Sequence, residues 1–184
     1  MKFLLTKDYV VKAPKRIIGQ NAGYDFFVPA FNDDFMVALT EKNSSVCVMQ
    51  ESGDCTDEKH KGCWYIRLAP HNSVNIPSGI HTLFADNEAL IMQNKSGIAA
   101  NKHLIVGACV IDSSYEGIVH LNVINTSDEY QKIYFDEKLV QGVLFFISNE
   151  ETSSYLETDM PLEKFYEGHE SERKSGGFGS TGAK

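Results

Sequence analysis

Hydrophobic residues in this chain are gathered into short runs, and polar clusters rich in Asn, Asp, Ser, Gly and Pro separate them. Runs of this kind, with β-branched and aromatic residues inside and turn formers between, predict β-strands. We expect strands at 2–5, 35–39, 46–49, 64–68, 73–76, 79–84, 88–93, 117–124, 130–135 and 140–148. Long helical periodicity is nearly absent, and a short helical turn is expected after Ser96. The pattern therefore predicts an all-β, barrel or jelly-roll-like domain.

Two stretches break this regular pattern and set the expected domain organisation. Residues 32–62 are polar and rich in turn formers, which predicts an inserted hairpin or a long surface loop. Residues 149–173 are acidic and weakly patterned, and a glycine-rich end follows them. We therefore expect a β-domain at 1–148, which contains the insert, and a tether and tail at 149–184.

Composition and charge restrict the functional classes. The 184 residues fit one compact domain, and 42% hydrophobic and 23% charged residues are ordinary for a globular protein. A net charge of -8 argues against a nucleic-acid-binding protein, which normally has a basic face. No stretch approaches the ~20 apolar residues that span a bilayer, and the first apolar run is too short for a signal peptide. We therefore expect a cytoplasmic protein that binds neither nucleic acid nor membrane.

The cysteines raise the question of a metal site. Cys47, Cys55 and Cys63 fall within one polar stretch with His60 nearby, whereas Cys109 lies in a distant apolar run. Their spacings match no standard zinc pattern. We therefore expect reduced thiols, and a metal site at these cysteines is the alternative hypothesis.

The end of the chain carries the clearest chemical signal. Residues 173–182, RKSGGFGSTG, combine four glycines, three hydroxyls, two cations and a single aromatic ring. Glycine lets backbone N–H groups approach an anion closely, and hydroxyl and guanidinium groups donate to phosphate oxygens. The isolated ring of Phe178 offers a flat face to a base. These residues predict a nucleotide-binding tail, and the alternative is an unstructured Gly/Ser terminus.

Two internal segments carry weaker signals of related chemistry. Residues 95–97, KSG, follow a strong strand, where they can cradle a phosphate or form an ordinary turn. Residues 107–117, GACVIDSSYEG, bring Asp112 to a turn with Tyr115 three residues later. An ionised carboxylate can accept a proton from water, and a tyrosine ring can form one wall of a sugar pocket. The alternative is a turn-capping aspartate beside a surface tyrosine.

The order of these segments resembles the five ordered motifs of the trimeric dUTPase family. The matching segments are 22–25 (AGYD), 95–99 (KSGIA), 107–117, 137–141 (EKLVQ) and 173–182. The resemblance spans most of the chain and excludes residues 32–62. It implies a jelly-roll-like β-barrel protomer, with the C-terminal arm exchanged in a homotrimer whose active sites are shared between subunits. It also implies Mg²⁺-assisted hydrolysis of dUTP to dUMP and pyrophosphate, which limits uracil incorporation into DNA and supplies dUMP.

The resemblance assigns roles on the nucleoside side of the site. Asp112 would be the general base that orients water for in-line attack on the α-phosphorus. Tyr115 would pack under the deoxyribose and exclude a 2′-hydroxyl. The strand at Cys109 and Val110 and the returning strand near His120 would read uracil, largely through backbone groups.

The resemblance also implies a phosphate side. Its residues would be Lys95, Ser96, Gly97, Gln141, Arg173, Gly179, Ser180 and Thr181. Phe178 would stack on the base, and the tail is expected to be mobile when empty and to order as a lid over bound nucleotide. Mg²⁺ would be held through phosphates and waters, with no direct protein ligand. Asp25 would be a structural support or an outer-shell metal contact.

Three positions depart from the family pattern. Lys95 stands where arginine is usual and loses the bidentate fork of donors. Asp136 stands where glycine usually precedes the acidic residue, and Lys174 replaces a common glycine. These departures indicate a divergent member, and a viral source is one interpretation of them, which would place the protein in the host cytoplasm.

Two alternative functions have specific grounds. The dCTP deaminase group shares the fold, although the pairing of Asp112 with Tyr115 and the Phe178 tail favour dUTP hydrolysis. The second alternative is a trimeric interaction protein that binds a protein partner through the insert at 32–62. The aromatic residues at the edges of the insert, Phe31, Phe35 and Trp64, are expected to anchor it to the core rather than to bind a partner.

Overall fold

Antiparallel strands dominate the computed structural model, which describes residues 1–148, Pro161 and Glu167. The strands are β1 Lys2–Leu5, β2 Tyr24–Phe27, β3 Cys47–Gln50, β4 Trp64–Leu68, β5 Ser73–Pro77, β6 Ile80–Leu83, β7 Glu88–Asn94, β8 Leu104–Val106, β9 Val110–Ile111, β10 His120–Asn125, β11 Gln131–Tyr134 and β12 Lys138–Phe146. The helices are α1 Asp33–Lys42 and α2 Ser96–Lys102. The chain divides into two compact units, Met1–Asn149 and Glu150–Lys184. All described helices and strands belong to the first unit.

The described strands form four sheets, and all their ladders are antiparallel. The sheet orders are β1-β6, β5-β10-β8, β11-β4-β3 and β2-β12-β7-β9. Long-range pairing of this kind, with short turns between strands, is typical of jelly-roll architectures. The predicted all-β, jelly-roll-like class is confirmed, although none of the four described sheets closes into a barrel.

Alternating burial along the strands places the core. On β10, Leu121 and Val123 are buried while His120 and Asn122 face the other side. Strand residues point to opposite faces in turn, so one face of β10 joins the core and the other can carry polar chemistry. The predicted strands are confirmed except that at 35–39, and the short helix expected after Ser96 is α2.

The insert differs from its prediction. Residues 32–62 were expected to form a hairpin or long loop and 35–39 a strand, but α1 occupies this position and is followed by β3. The side chain of Asn32 caps α1 by accepting a hydrogen bond from the Phe35 N–H at 2.8 Å. Phe35 and Leu39, one helical turn apart, are both fully buried. Two apolar residues at this spacing are too weak a pattern to distinguish a helix from a strand.

Aromatic contacts anchor the insert, as expected from the sequence. Phe31 stacks on Trp64 with 4.2 Å between ring centroids, and Phe35 meets Phe135 edge to face at 5.4 Å. Such ring pairs stabilise a fold beyond their simple burial. At the far end of the insert, His60 stacks on Tyr134 at 3.9 Å. The insert is therefore packed onto the β-domain at both ends.

The cysteines are free thiols in the structure. Within residues 1–148, no group of three or more His, Cys, Asp or Glu side chains is placed to hold a metal ion. No helix among the described residues has the length and apolarity needed to cross a membrane.

Candidate active site

An open cavity of about 210 Å³ lies beside the turn that joins β9 to β10. Its walls come from β5, β9, β10 and that turn. The lining residues are Asn75, Ala108, Val110, Ile111, Asp112, Tyr115, His120 and Asn122. The structure thus gathers Val110, Asp112, Tyr115 and His120, which were all predicted as site residues. The amide side chains of Asn75 and Asn122 were missed.

The turn holds Asp112 and Tyr115 together. The Tyr115 N–H donates to the Asp112 carbonyl at 3.1 Å, and the Tyr115 hydroxyl donates to the Ile118 carbonyl at 2.9 Å. The ring passes so close to Gly117 that a Cβ there would collide with the Tyr115 hydroxyl. Glycine at this position therefore lets the tyrosine ring lie flat against its own turn. The Asp112 carboxylate is exposed and makes no ion pair or side-chain hydrogen bond within residues 1–148.

Asn122 fixes the segment that leads into β9. Its side-chain Oδ1 accepts from the Ala108 N–H at 2.9 Å, and its carbonyl accepts from the Gly107 N–H at 3.0 Å. A Cβ on Gly107 would overlap the Asn122 amide oxygen, so glycine is required for this close approach. Asn122 thus sets the position of the strand that delivers Asp112.

Cys109 takes a different position from the one its predicted role requires. Its carbonyl accepts from the Met92 N–H at 2.7 Å, and its side chain packs against the core. It is not among the residues that line the cavity. Val110, its neighbour, does line the cavity and has an exposed side chain.

His120 brings a half-buried imidazole to the cavity wall. Burial lowers the pKa of His120, and the charge of Lys42 lowers it further against an opposing hydrogen bond with the Ile118 backbone. The ring is therefore neutral at neutral pH. Among the described residues, the buried Nε2 atom has no hydrogen-bond partner. A buried polar atom without a partner is uncommon and marks a position where a ligand can bind.

A second group of predicted residues meets where β12 lies between β2 and β7. Gln141 on β12 is opposite Asp25 on β2 and Gln93 on β7. Asp25 is nearly buried, and its two oxygens accept from Lys95 at 2.5 Å and from Lys138 at 3.0 Å. Burial by itself raises the pKa of Asp25, but hydrogen bonds from the two lysines outweigh it and lower the pKa below the ordinary value. This carboxylate is a paired anion inside the fold.

The junction of β7 and α2 belongs to the same group. Ser96 begins α2, and no heavy atom lies within 4 Å of the place where a Cβ on Gly97 would stand. The Gln141 amide donates to the Asn94 carbonyl at 3.1 Å, just before this junction. The Lys95 ammonium is bound to Asp25, so the charge expected to meet phosphate is engaged within the chain.

The fourth motif contributes a second ion pair. The Lys102 ammonium donates to Glu137 at 2.6 Å, and burial raises the pKa of Glu137 against the effect of this lysine. Asp136, which departs from the family's glycine, has φ of 66° and pairs with Lys12 at 3.1 Å. The left-handed conformation explains why glycine is usual there, and aspartate is one of the residues that tolerates it.

The described chain therefore brings the predicted residues together in two groups rather than one. The cavity lining contains none of Lys95, Ser96, Gly97 or Gln141. The predicted tail residues, Arg173, Phe178, Gly179, Ser180 and Thr181, lie outside the described residues, as do the tether and the lid expected there.

Comparison with known proteins identifies the family of the chain. The family model described as dUTPase matches residues 61–182. The chain belongs to the dUTPase family. A deoxyuridine 5'-triphosphate nucleotidohydrolase from Legionella pneumophila is 32% identical over 120 residues, which cover 64% of this chain and 72% of that protein. The cavity hairpin and the second and fourth motifs all fall inside the matched range.

Solved structures of dUTPases share the fold. The dUTPase of Staphylococcus bacteriophage 80alpha, solved with dUPNHPP, has a TM-score of 0.61 at 19% identity and covers 99% of this chain and 98% of its own. A mutant dUTPase from phage phi11 of S. aureus, described with a structural Mg(II) ion, has a TM-score of 0.56 at 17% identity. It covers 86% of this chain and 98% of its own. These likenesses extend to the β-domain as a whole.

Proposed function

We propose that this dUTPase family member hydrolyses dUTP to dUMP and pyrophosphate. The observation that carries the proposal is the shared cavity of Asp112, Tyr115 and His120, inside the range matched by the family. The nucleotidohydrolase from Legionella, at 32% identity, supports the same reaction. The predicted roles of these side chains are therefore the starting point for the mechanism.

The cavity is suited to a nucleoside rather than to a whole triphosphate. Its volume of about 210 Å³ is below the ~300–1,000 Å³ typical of sites that enclose a drug-sized ligand. Val110 and Ile111 supply apolar walls, and the amides of Asn75 and Asn122 supply hydrogen-bonding groups. A pyrimidine and its deoxyribose would lie here, with the Tyr115 ring beside the sugar. The phosphates would extend outside the cavity.

The Asp112 carboxylate, exposed and without an ion pair within residues 1–148, is the group available to act as general base. It would accept one proton from water as the water oxygen forms a bond to the α-phosphorus. The bond between the α-phosphorus and the oxygen that bridges to the β-phosphorus would break, and pyrophosphate would leave with that electron pair. In-line geometry requires the water and the leaving group on opposite sides of the phosphorus.

The phosphate side would be completed by other copies of the chain. Lys95, Ser96, Gly97 and Gln141 lie in a group separate from the cavity, so one described chain does not unite the two halves. A homotrimer with shared active sites would bring this group, and the tail residues of another subunit, to the phosphates that leave the cavity. The Ser96 hydroxyl, which makes no hydrogen bond within residues 1–148, and nearby backbone N–H groups would donate to these phosphates, whereas the Lys95 ammonium already donates to Asp25.

The described residues do not fit a metal ion held directly by the protein. No suitable cluster of ligating side chains is present within residues 1–148, and both oxygens of Asp25 already accept hydrogen bonds from lysines. Mg²⁺ keeps most of its waters and commonly arrives with a nucleotide's phosphates. We propose that the substrate is the magnesium complex of dUTP, and the residue roles above require no protein-held ion.

Initial-rate measurements test this function. dUTP, dTTP, dCTP and UTP are each offered to the purified protein with Mg²⁺, and nucleotide and pyrophosphate products are separated. We expect dUMP and pyrophosphate from dUTP, with much slower turnover of the other three. Conversion of dCTP to dUTP would instead identify a deaminase. No turnover and no binding of dUTP would refute the proposal.

A further inference from the structure

An asparagine at the end of α1 connects the insert to the β-domain. The Asn43 side chain donates to the Asn75 carbonyl at 2.9 Å and accepts from the Asn75 N–H at 2.8 Å. The same amide also donates to the Leu39 carbonyl at 2.8 Å, which ties it to the last turn of the helix. Asn43 lies 32 residues before Asn75 and outside the range matched by the dUTPase family. The contact is therefore supplied by a segment that the family match does not include.

The position of Asn75 explains why this contact matters. β5 is the outer strand of the sheet β5-β10-β8, so one of its edges has no strand partner in that sheet. The two backbone groups of Asn75 bound by Asn43 point to that edge, since successive residues of a strand alternate their hydrogen bonds between its two sides. The Asn43 amide takes the place of a neighbouring strand at this residue. It pairs two backbone groups that a sheet edge otherwise leaves without a protein partner.

Strand pairing, rather than a hydrogen bond of Asn75 itself, continues the connection toward the active-site hairpin. Asn75 lines the cavity and lies opposite Asn122 on β10. Asn122 in turn binds the N–H groups of Gly107 and Ala108, which precede the strand that delivers Asp112. A continuous set of contacts therefore runs from the insert, through one wall of the cavity, to the strand that carries the proposed general base.

The positive charge of Lys42, the last residue of α1, affects a residue that lines the same cavity. Lys42 immediately precedes Asn43, and its positive charge is one of the causes that lower the pKa of the His120 ring. Lys42 and Asn43 thus act on two cavity residues, His120 and Asn75, by two different physical means. The insert therefore packs onto the β-domain and also interacts with two residues that line the nucleoside cavity.

We propose that Asn43 is a positioning residue that lets the insert fix one wall of the nucleoside cavity. The inference rests on the proposed dUTP hydrolysis and deepens it, because the insert then sets how tightly and how selectively the base is held. Asn43 does not touch substrate in this proposal. It acts through the backbone of Asn75, so its loss affects binding of the nucleoside more than the chemical step.

Asn43→Ala tests the proposal through a split between KM and kcat. Without the amide, the edge of β5 relaxes and the cavity wall is less defined. We expect KM for dUTP to rise about five- to tenfold, as two lost hydrogen bonds of modest net strength allow, with kcat changed less than about twofold. The preference for dUTP over dTTP should fall by a similar factor, because a looser wall rejects a 5-methyl group less well. A variant that merely loses stability would lower the amount of active enzyme and leave KM unchanged.

Gln50→Ala is the matched control. The Gln50 amide also belongs to the insert and donates to the Gly62 carbonyl at 2.9 Å, within the insert itself. This variant should keep the wild-type KM and the wild-type preference for dUTP. Hydrogen exchange gives a readout that does not depend on activity: the Asn75 N–H should exchange faster in Asn43→Ala and at the wild-type rate in Gln50→Ala.

Asn43→Asp covers the case in which the alanine variant does not fold. Aspartate retains an acceptor for the Asn75 N–H and loses both donated hydrogen bonds, so an intermediate rise in KM at a near-wild-type melting temperature supports the proposal. An active wild type whose folded Asn43 variants keep KM, dUTP preference and Asn75 exchange unchanged overturns it. An inactive wild type would refute the proposed hydrolysis, and this inference with it, which distinguishes the two failures.

Discussion

Two aspartates of this dUTPase family member occupy opposite environments. Asp25 is nearly buried, and Lys95 and Lys138 bind its two oxygens. Asp112 is exposed at the mouth of a cavity and makes no ion pair within residues 1–148. The same side chain is therefore held by two cations in one place and, among the described residues, has no charged partner in the other. The surroundings, rather than the residue type, separate structural from chemical carboxylates.

The contrast extends to the groups around each carboxylate. The lysines at Asp25 neutralise it and leave little capacity to bind another ion. The neighbours of Asp112 are a tyrosine, a neutral histidine and two amides, which can orient a ligand without neutralising the base. Substitutions of the two aspartates should accordingly affect different quantities.

The largest effect is expected for Asp112→Asn. The amide keeps the shape of the turn and cannot accept a proton from water, so kcat should fall about 10²–10⁴-fold, the range typical of a lost general base. Binding of a non-hydrolysable dUTP analogue should stay within a few-fold of wild type. Single-turnover kinetics and calorimetry measure the two quantities separately.

Asp128→Asn is the control for this variant. Asp128 is an exposed carboxylate that pairs with His71 at 2.9 Å and does not line the cavity. The Asp128→Asn variant should hydrolyse dUTP at the wild-type rate. A wild-type kcat in Asp112→Asn would show that Asp112 is not the general base, and the two aspartates would then not differ in chemical role.

The next largest effect is expected for Asp25→Asn, and it concerns stability. The substitution leaves Lys95 and Lys138 without their partner near the interior. Breaking a buried pair by removing one member costs about 3–5 kcal/mol, and the partly exposed lysines reduce that cost here to about 2–3 kcal/mol. Urea denaturation measures the change in the free energy of unfolding.

Asp136→Asn provides the comparison for Asp25→Asn. Asp136 pairs with Lys12 at 3.1 Å, and both side chains are about half exposed. Asparagine suits the left-handed backbone at this position. The cost should therefore stay below about 1 kcal/mol, as for surface ion pairs in general. Equal destabilisation by the two substitutions would show that burial does not distinguish these carboxylates.

A smaller effect is expected for Gly117→Ala, on the cavity side of the contrast. A Cβ at this position collides with the Tyr115 hydroxyl and displaces the ring from the turn. If the ring excludes a 2′-hydroxyl, the preference for dUTP over UTP should fall about tenfold, or about 1.4 kcal/mol. Gly53→Ala, where a new Cβ meets open space, should leave the preference intact. The ratio of kcat/KM values for dUTP and UTP gives the answer.

The sequence contained part of this picture. The run of β-prone residues at 117–124 predicted the strand that carries His120, and the 107–117 segment located Asp112 and Tyr115 on one turn. The helix α1 was not predicted because its pattern depends on only two buried residues, Phe35 and Leu39. The hydrogen bond from Asn43 to Asn75 could not be predicted from the sequence either. It joins the end of a helix to the edge of a strand 32 residues later, and only the tertiary fold brings the two together.

The smallest expected effect is on the pH dependence of stability, to which His120 in the cavity and Asp25 in the second group contribute at different pH. Burial holds the pKa of His120 below its ordinary 6.5, so the unfolded chain binds a proton more readily than the folded one. Stability should therefore rise with pH between the lowered pKa and 6.5, and fall as the pH is lowered through that window. Asp25, whose pKa is lowered from 3.8, contributes stability that is lost only in more acidic solution.

His120→Asn isolates the histidine contribution. The free energy of unfolding of this variant should depend less on pH just below 6.5 than that of the wild type, because no imidazole with a lowered pKa remains to take up a proton on unfolding. His103→Asn is the control, since His103 is exposed and its left-handed backbone suits asparagine. That variant should retain the wild-type slope. If His120→Asn also retains it, the fold does not lower the pKa of this imidazole.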